Sequence, residues 1–194
     1  MWLARKLDAT LVLQNYSRLV IDCNRPGTAS DSIPAHTEWS RIEGNEHLSA
    51  TAIAARTDGI FTPYHDGLRS ILDRRLHNGR QTLLVAVHSF TPMFRGTARP
   101  WHIGVMYHRD ARVAGELIKR LRRDERLIVG DNEPYSISDE TDYTLPAHGE
   151  SRGLAHVGIE IRQDLVADEA GQIAWAVRLA ALFEPLATDV LADV

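Results

Sequence analysis

The 194-residue chain has a single cysteine, Cys23, and lacks any apolar run long enough to cross a bilayer. One cysteine excludes an internal disulfide and is typical of a protein kept in a reducing compartment. No signal-peptide pattern opens the sequence. These absences predict a cytoplasmic protein that has no membrane partner.

An excess of charge of one sign is also missing, because the formal net charge is only -4 and 25% of the residues are charged. Such a balance argues against a general nucleic-acid binding surface. The basic cluster at residues 119–123 coincides with the predicted end of a helix, where the helix dipole favours cations. We interpret it as a solvated helix face and expect no nucleic-acid partner.

Two motifs of common enzyme classes are absent. The sequence has no glycine-rich phosphate loop, and none of its nine histidines forms an HExxH pair at helical spacing. A nucleotide-dependent enzyme and a helix-borne zinc protease motif are therefore disfavoured. Cys23 lies inside a predicted strand, which favours a buried inert thiol over a nucleophile.

The most informative stretch present is residues 83–92. Five consecutive apolar residues predict a strand buried on both faces, and His88 and Ser89 follow where the run ends. In open α/β sheets, ligands bind outside the carboxyl ends of the strands, so His88 lies where a site is expected. A hydrogen-bonded histidine without chemistry explains this stretch equally well.

Elsewhere, strand patterns alternate with helical patterns, and the predicted helix over residues 49–77 should kink near Phe61 because of Pro63. This order predicts a single α/β domain over residues 1–194 with a mostly parallel or mixed central sheet. The other predicted helices are Trp2–Leu7, residues 111–123 and residues 168–187. The other predicted strands are Thr10–Gln14, Leu19–Cys23, Ile103–Tyr107, Leu127–Val129 and Val157–Arg162.

Polar clusters stand at the ends of four predicted strands, which suggests that the sheet gathers them at one edge. Glu160 lies between Ile159 and Ile161 and therefore points away from them, toward a cleft. A partly buried carboxylate there has the character of a general base. A structural ion pair with Arg162 is the competing interpretation. The clusters are residues 22–25, 88–89, 131–133 and 160–164.

Five segments resemble, in order along the chain, signature segments of the N-formylglutamate amidohydrolase family. They are residues 16–26, 88–92, 131–135, 142–144 together with 148–149, and 159–164. The resemblance implies a fold similar to that of the zinc carboxypeptidases, a three-layer α/β sandwich of the phosphorylase/hydrolase-like kind with helices on both faces of the sheet.

The resemblance also implies roles for individual residues. His88 corresponds to the zinc-ligand histidine, and Glu160 corresponds to the general base that takes a proton from metal-bound water. Asn24 and Arg25 resemble the Asn-Arg pair that holds a substrate carboxylate or polarises the scissile carbonyl.

Ser89 and Arg162 complete the predicted substrate-binding set. The implied activity is zinc-dependent hydrolysis of the amide bond in N-formylglutamate or a related N-acyl amino acid, with a homo-oligomer left open. The competing hypothesis is an inactive family member that retains a carboxylate-binding pocket and acts through binding.

The other zinc ligands of the family come from a histidine motif and an acidic residue upstream of the segment that matches Leu3. We therefore expect this chain to be truncated at its N-terminus, because catalytic zinc commonly has three protein ligands. His65, His102 and His148 are the alternative ligands within the chain, although their spacing does not favour them.

Overall fold

The structure, a computed structural model, describes residues 1–192, whose contacts group into two compact units. The sheet unit consists of Met1–Leu11, Thr82–Ile137 and the chain from Gly149 onward. The second unit consists of Val12–Gln81 and Ser138–His148.

The sheet unit contains a four-stranded sheet with the strand order β1-β6-β4-β5. β1 pairs with β6 in parallel, β6 with β4 antiparallel, and β4 with β5 in parallel. The predicted α/β fold with a mixed central sheet is therefore confirmed. The strands are β1 (Leu83–Phe90), β4 (Ile103–Met106), β5 (Val129–Asp131) and β6 (Ala155–Arg162), and a separate hairpin joins β2 (Met93–Phe94) to β3 (Thr97–Ala98).

Helices of the sheet unit bury one face of this sheet. α4 places its apolar residues at helical spacing and buries them against Val157 and Ile159 of β6. Because side chains alternate along a strand, Glu160 projects from the opposite face. The helices are α1 (Trp2–Lys6), α4 (Arg112–Leu121) and α5 (Glu169–Ala192).

The prediction that β1 is buried on both faces is wrong. Among residues 1–192, β1 pairs only with β6 and forms an edge of the sheet, and Val87 is 51% exposed. Leu83 and Val85 pack against the core but are only partly buried. β6 lies inside the sheet, between β1 and β4, and its first seven residues are all buried. An unbroken apolar run does not distinguish these two positions.

The predicted strand Leu19–Cys23 is also wrong, because other groups take the hydrogen bonds that a ladder requires. The side chains of Asn45 and Arg56 donate to the carbonyl oxygens of Leu19 and Val20. The N–H of Asp22 donates to the Ser32 carbonyl at 2.8 Å. With these backbone groups satisfied, the segment forms turns instead.

The predicted strand Thr10–Gln14 is likewise absent from the described part of the chain. Residues 10–14 have no strand partner, and Leu11 and Leu13 are both exposed. The alternation of apolar residues in this segment therefore does not mark a buried face.

Two helices of the second unit follow the prediction for residues 49–77. The Ser49 hydroxyl accepts the N–H of Ala52 and caps α2 (Ala50–Arg56). A π-helical turn over Thr57–Phe61 then leads into α3 (Thr62–His77). Pro63 has no N–H to donate to the preceding turn, and the helix widens there. The predicted break near Phe61 is confirmed.

A pair of hydrogen bonds shifts the start of β5 from Leu127 to Val129. The N–H of Ile128 donates to Nδ1 of His102, and the N–H of His102 donates to the Ile128 carbonyl.

Residues 1–192 include no helix with the length and apolar character needed to cross a bilayer.

Candidate active site

The parallel pairing of β1 and β6 sets His88 beside Glu160. These residues are register partners on neighbouring strands and therefore project from the same face of the sheet. Adjacent strands lie about 4.8 Å apart, so the two side chains start at contact range. Glu160 is only 8% exposed. The structure thus brings the predicted metal ligand and the predicted base together on one face.

Two glycines in register with Glu160 allow a loop to lie against that same face. Gly104 on β4 is opposite Glu160, and Gly130 on β5 is opposite Gly104. A Cβ atom at either glycine would overlap the backbone carbonyl of Glu133. The chain around Glu133 therefore passes directly over the sheet where these side chains are missing.

Asn132 holds the start of that loop in place. Its backbone is left-handed, with a φ of 52°. Its N–H donates to the Val105 carbonyl at 3.0 Å, and its side-chain oxygen accepts the Tyr107 N–H at 2.9 Å. An asparagine tolerates this conformation because its short polar side chain can bond locally. The reversal directs the following residues back across the sheet.

Asn24, predicted to bind substrate, makes structural hydrogen bonds within the second unit. Its side-chain nitrogen donates to Asp142 at 2.9 Å. Its side-chain oxygen accepts the N–H groups of Tyr143 at 3.4 Å and of Thr144 at 3.0 Å. Asn24 thus ties two segments that are distant in sequence, and most of its hydrogen-bonding capacity is used.

Arg25, also predicted to bind substrate, is surrounded by carboxylates. Its Nε donates to Asp31 at 3.0 Å, and Nη1 donates to the Thr141 carbonyl. Burial acts to lower the pKa of Arg25, but its hydrogen bond to Asp31 and the charges of Asp22, Asp31 and Asp142 raise the pKa overall. A substrate carboxylate would compete with these charges for the guanidinium.

The other two predicted substrate-binding residues, Arg162 and Ser89, differ in their surroundings. Arg162 donates from Nε and Nη2 to the two oxygens of Asp164, at 2.8 and 3.1 Å, and the first of these bonds holds the pKa of Asp164 below its ordinary range. Ser89 follows His88 on β1 and therefore projects from the opposite face of the sheet.

The three alternative zinc ligands are engaged elsewhere. Nδ1 of His65 lies 2.9 Å from Nε2 of His148, and Nε2 of His65 lies 2.8 Å from the Cys23 carbonyl. His102 uses Nδ1 to accept the Ile128 N–H. His65 and His102 thus contact backbone groups, and His148 contacts the His65 ring.

The residues around His88 do not form a zinc site by themselves. Within the sheet unit as described to residue 192, His88 belongs to no group of three histidine, cysteine or carboxylate side chains close enough to share a metal. Catalytic zinc commonly has three protein ligands. Glu150 faces other histidines instead, at 3.4 Å from His108 and 3.9 Å from His156.

The sequence-based prediction overlooked Arg99, a buried arginine of the sheet unit that is 8% exposed. Its guanidinium carbon lies 4.5 Å from the ring centroid of Phe94 and 4.8 Å from that of Tyr135. Nη1 donates weakly to the Thr91 hydroxyl at 3.4 Å. No carboxylate among residues 1–192 forms an ion pair with Arg99. The sequence near Arg99 does not indicate that this arginine is buried, because Tyr135, which contacts it, is distant in sequence.

The chain resembles one family of known proteins. The model of the N-formylglutamate amidohydrolase family matches residues 1–167. The solved structure of gene product Atu2144 from Agrobacterium tumefaciens superposes with a TM-score of 0.93 at 37% identity, over 97% of this chain and 75% of that one. No curated protein matches the sequence.

A second solved structure, N-formylglutamate amidohydrolase from Ralstonia eutropha JMP134, is more distant. It superposes with a TM-score of 0.61 at 18% identity, over 94% of this chain and 72% of that one. At this identity the likeness shows a shared fold.

Proposed function

The chain belongs to the N-formylglutamate amidohydrolase family, and from this premise we propose that it hydrolyses the amide bond of N-formylglutamate or a related N-acyl amino acid. The observation that carries the proposal is the register of β1 and β6, which sets His88 beside the buried Glu160. Amide hydrolysis needs a base for the attacking water, and a carboxylate in a largely dry setting suits that task.

In the proposed reaction, Glu160 takes a proton from water as the water oxygen bonds to the amide carbon. The same proton then passes to the amide nitrogen, and the carbon–nitrogen bond breaks. The products are a carboxylic acid, which is formate for a formyl group, and a free amino acid. Glu160 returns to its ionised form and completes the cycle.

Zinc on His88 is predicted by the family resemblance, but among residues 1–192 His88 belongs to no group of three side chains that could share a metal, and catalytic zinc commonly has three protein ligands. The proposal therefore assigns proton transfer to Glu160 and no step to a metal. The same observation favours the second candidate function, a protein that binds N-acyl amino acids without turning them over.

Formate release from N-formyl-L-glutamate tests the proposal. We expect turnover by the purified chain and a loss of about 100-fold or more in Glu160→Gln, which preserves shape and removes the base. Glu125→Gln, at an exposed glutamate, is the matched control and keeps wild-type turnover. Parallel assays with and without added zinc, together with metal analysis, test the metal requirement.

Two outcomes contradict the proposal. Full activity in Glu160→Gln would remove Glu160 from the role of base. Binding of N-formylglutamate by calorimetry without formate release, with or without zinc, would establish the binding-only alternative.

A further inference from the structure

We propose that Arg99 binds a carboxylate of the substrate. This inference rests on the proposed function, because that function supplies an anionic N-acyl amino acid. Arg99 is 8% exposed and forms no ion pair with any carboxylate of residues 1–192. A buried cation is costly unless an anion accompanies it, so a site that keeps one without a counter-charge suits an anionic ligand.

The aromatic contacts of Arg99 do not replace that anion. Phe94 and Tyr135 lie against its guanidinium at 4.5 and 4.8 Å. Ring faces stabilise the charge but accept no ordinary hydrogen bond from N–H groups, which point outward in the guanidinium plane. Arginine has five such donors, and the weak bond to the Thr91 hydroxyl at 3.4 Å uses one. The rest can form the forked pair that carboxylates accept.

The two arginines predicted from the resemblance differ from Arg99 in this respect. Arg25 donates to Asp31, and Arg162 donates twice to Asp164. Either arginine would have to exchange an existing carboxylate for that of the substrate, with little gain in free energy. Arg99 would gain its first anionic partner.

The position of Arg99 in the sheet unit also fits. Its guanidinium lies 5.9 Å from the ring of Phe90, which projects from the same face of β1 as His88 and starts about 7 Å further along the strand. Tyr135 lies two residues after Glu133 in the loop. The carbonyl of Glu133 lies over Gly104, and Gly104 is the register partner of Glu160. The contacts of Arg99 therefore come from segments adjoining both His88 and Glu160.

The two aromatic side chains that contact Arg99 are exposed to solvent beside the hairpin β2–β3. The N–H of Arg99 donates to the Pro92 carbonyl at 2.8 Å, which closes the hairpin at its base. Phe94 is 38% exposed and Tyr135 is 42% exposed, so the rings around the buried cation reach the surface. Exposed aromatic rings that surround a buried charge are suited to covering a small amphipathic ligand.

Substrate kinetics of Arg99→Met test the inference, because methionine keeps an unbranched apolar stem and removes the charge. We expect KM for N-formyl-L-glutamate to rise about 10- to 100-fold, as for loss of a charged hydrogen bond, with a much smaller change in kcat. Arg99→Lys should be intermediate, since it keeps the charge without the fork. The matched control is Arg95→Met, at an exposed arginine that also contacts Phe94, and it keeps the wild-type KM.

Substrate analogues identify which carboxylate Arg99 binds. N-formylglutamine lacks the side-chain carboxylate, and N-formylisoglutamine lacks the α-carboxylate. The analogue that lacks the bound group should be a poor substrate for the wild-type protein and should lose little more in Arg99→Met. An equal penalty from Arg99→Met on all three compounds would contradict carboxylate binding.

Binding of glutarate, a dicarboxylate without an amide bond, separates this inference from the proposed function. Calorimetry that shows glutarate bound by wild type and not by Arg99→Met, without any formate release from N-formylglutamate, would support Arg99 and refute hydrolysis. Turnover with an unchanged KM in a folded Arg99→Met would refute the inference and leave hydrolysis intact. If Arg99→Met does not fold, a wild-type KM in Arg99→Lys together with equal use of all three formyl compounds refutes it.

Discussion

His65 and His148 hydrogen-bond to each other at 2.9 Å, through Nδ1 and Nε2, in the interior of the second unit. Nε2 of His65 lies 2.8 Å from the Cys23 carbonyl, which can only accept. The proton of His65 is therefore inferred to be on Nε2, and its Nδ1 accepts the Nε2–H of His148. An additional proton on His65 would face a donor and break this arrangement.

This arrangement predicts a loss of stability in acid. Burial, the largest effect, lowers the pKa of His65 below its ordinary 6.5. Below that value the unfolded chain binds a proton that the folded chain does not, so the free energy of unfolding falls as the pH drops through 6.5 toward the folded pKa. Urea unfolding at about pH 7.5 and about pH 5.5 measures the slope.

The histidine responsible can be identified by substitution. His65→Gln removes the titrating group, and its pH slope should be smaller than that of the wild type. His77→Gln, at an exposed histidine of the same helix, serves as the control and should retain the wild-type slope. Equal slopes in all three proteins would show that other groups cause the acid sensitivity.

A second prediction concerns the bridge between Asn24 and Asp142. Asn24→Ala removes the donor to Asp142 and the acceptor for Tyr143 and Thr144. Because half-buried polar partners are left behind, we expect a loss of about 1–3 kcal/mol in the free energy of unfolding. A double-mutant cycle with Asp142→Ala should give a coupling of about 0.5–3 kcal/mol. Strictly additive effects would show that the two side chains act independently.

A third prediction concerns the glycine beneath the loop. Gly104→Ala places a methyl group against the Glu133 carbonyl, so the loop must move and stability should fall by about 1–3 kcal/mol. Gly115→Ala is the control, because a Cβ at Gly115 meets nothing within 4 Å and lies inside α4. Gly115→Ala should instead raise the free energy of unfolding by about 0.5–1 kcal/mol, as measured by urea unfolding. A neutral Gly104→Ala would mean that the loop adapts without cost.

Elements with a strong local pattern could be predicted from the sequence. The apolar spacing of α4 and the alternation around Glu160 in β6 both led to elements that the structure contains. The failures come from groups distant in sequence. Leu19–Cys23 has the composition of a strand, but Asn45 and Arg56 take its carbonyl oxygens. No local sequence pattern indicates that a side chain distant in sequence will bind these carbonyl oxygens.

The candidate site shows the same division. The apolar residues before His88 and Glu160 predicted that both lie near strand ends, but only the structure shows that the two strands are neighbours and that the two residues are in register. The sequence analysis considered Glu160 as the ion-pair partner of Arg162, whereas in the structure Arg162 pairs with Asp164, two residues away. Arg99 could not be predicted, because its burial depends on Tyr135, which a loop carries back over the sheet.

The edge position of β1 has a consequence for hydrogen exchange. In a parallel pair, the backbone N–H groups of successive residues point alternately toward and away from the neighbouring strand. Within residues 1–192, β6 is the only strand beside β1. The sheet therefore protects only every second amide of β1 from exchange with solvent, although this strand carries His88. We therefore expect hydrogen exchange along β1 to alternate between slow amides, which bond to β6, and faster amides, which strand pairing does not protect.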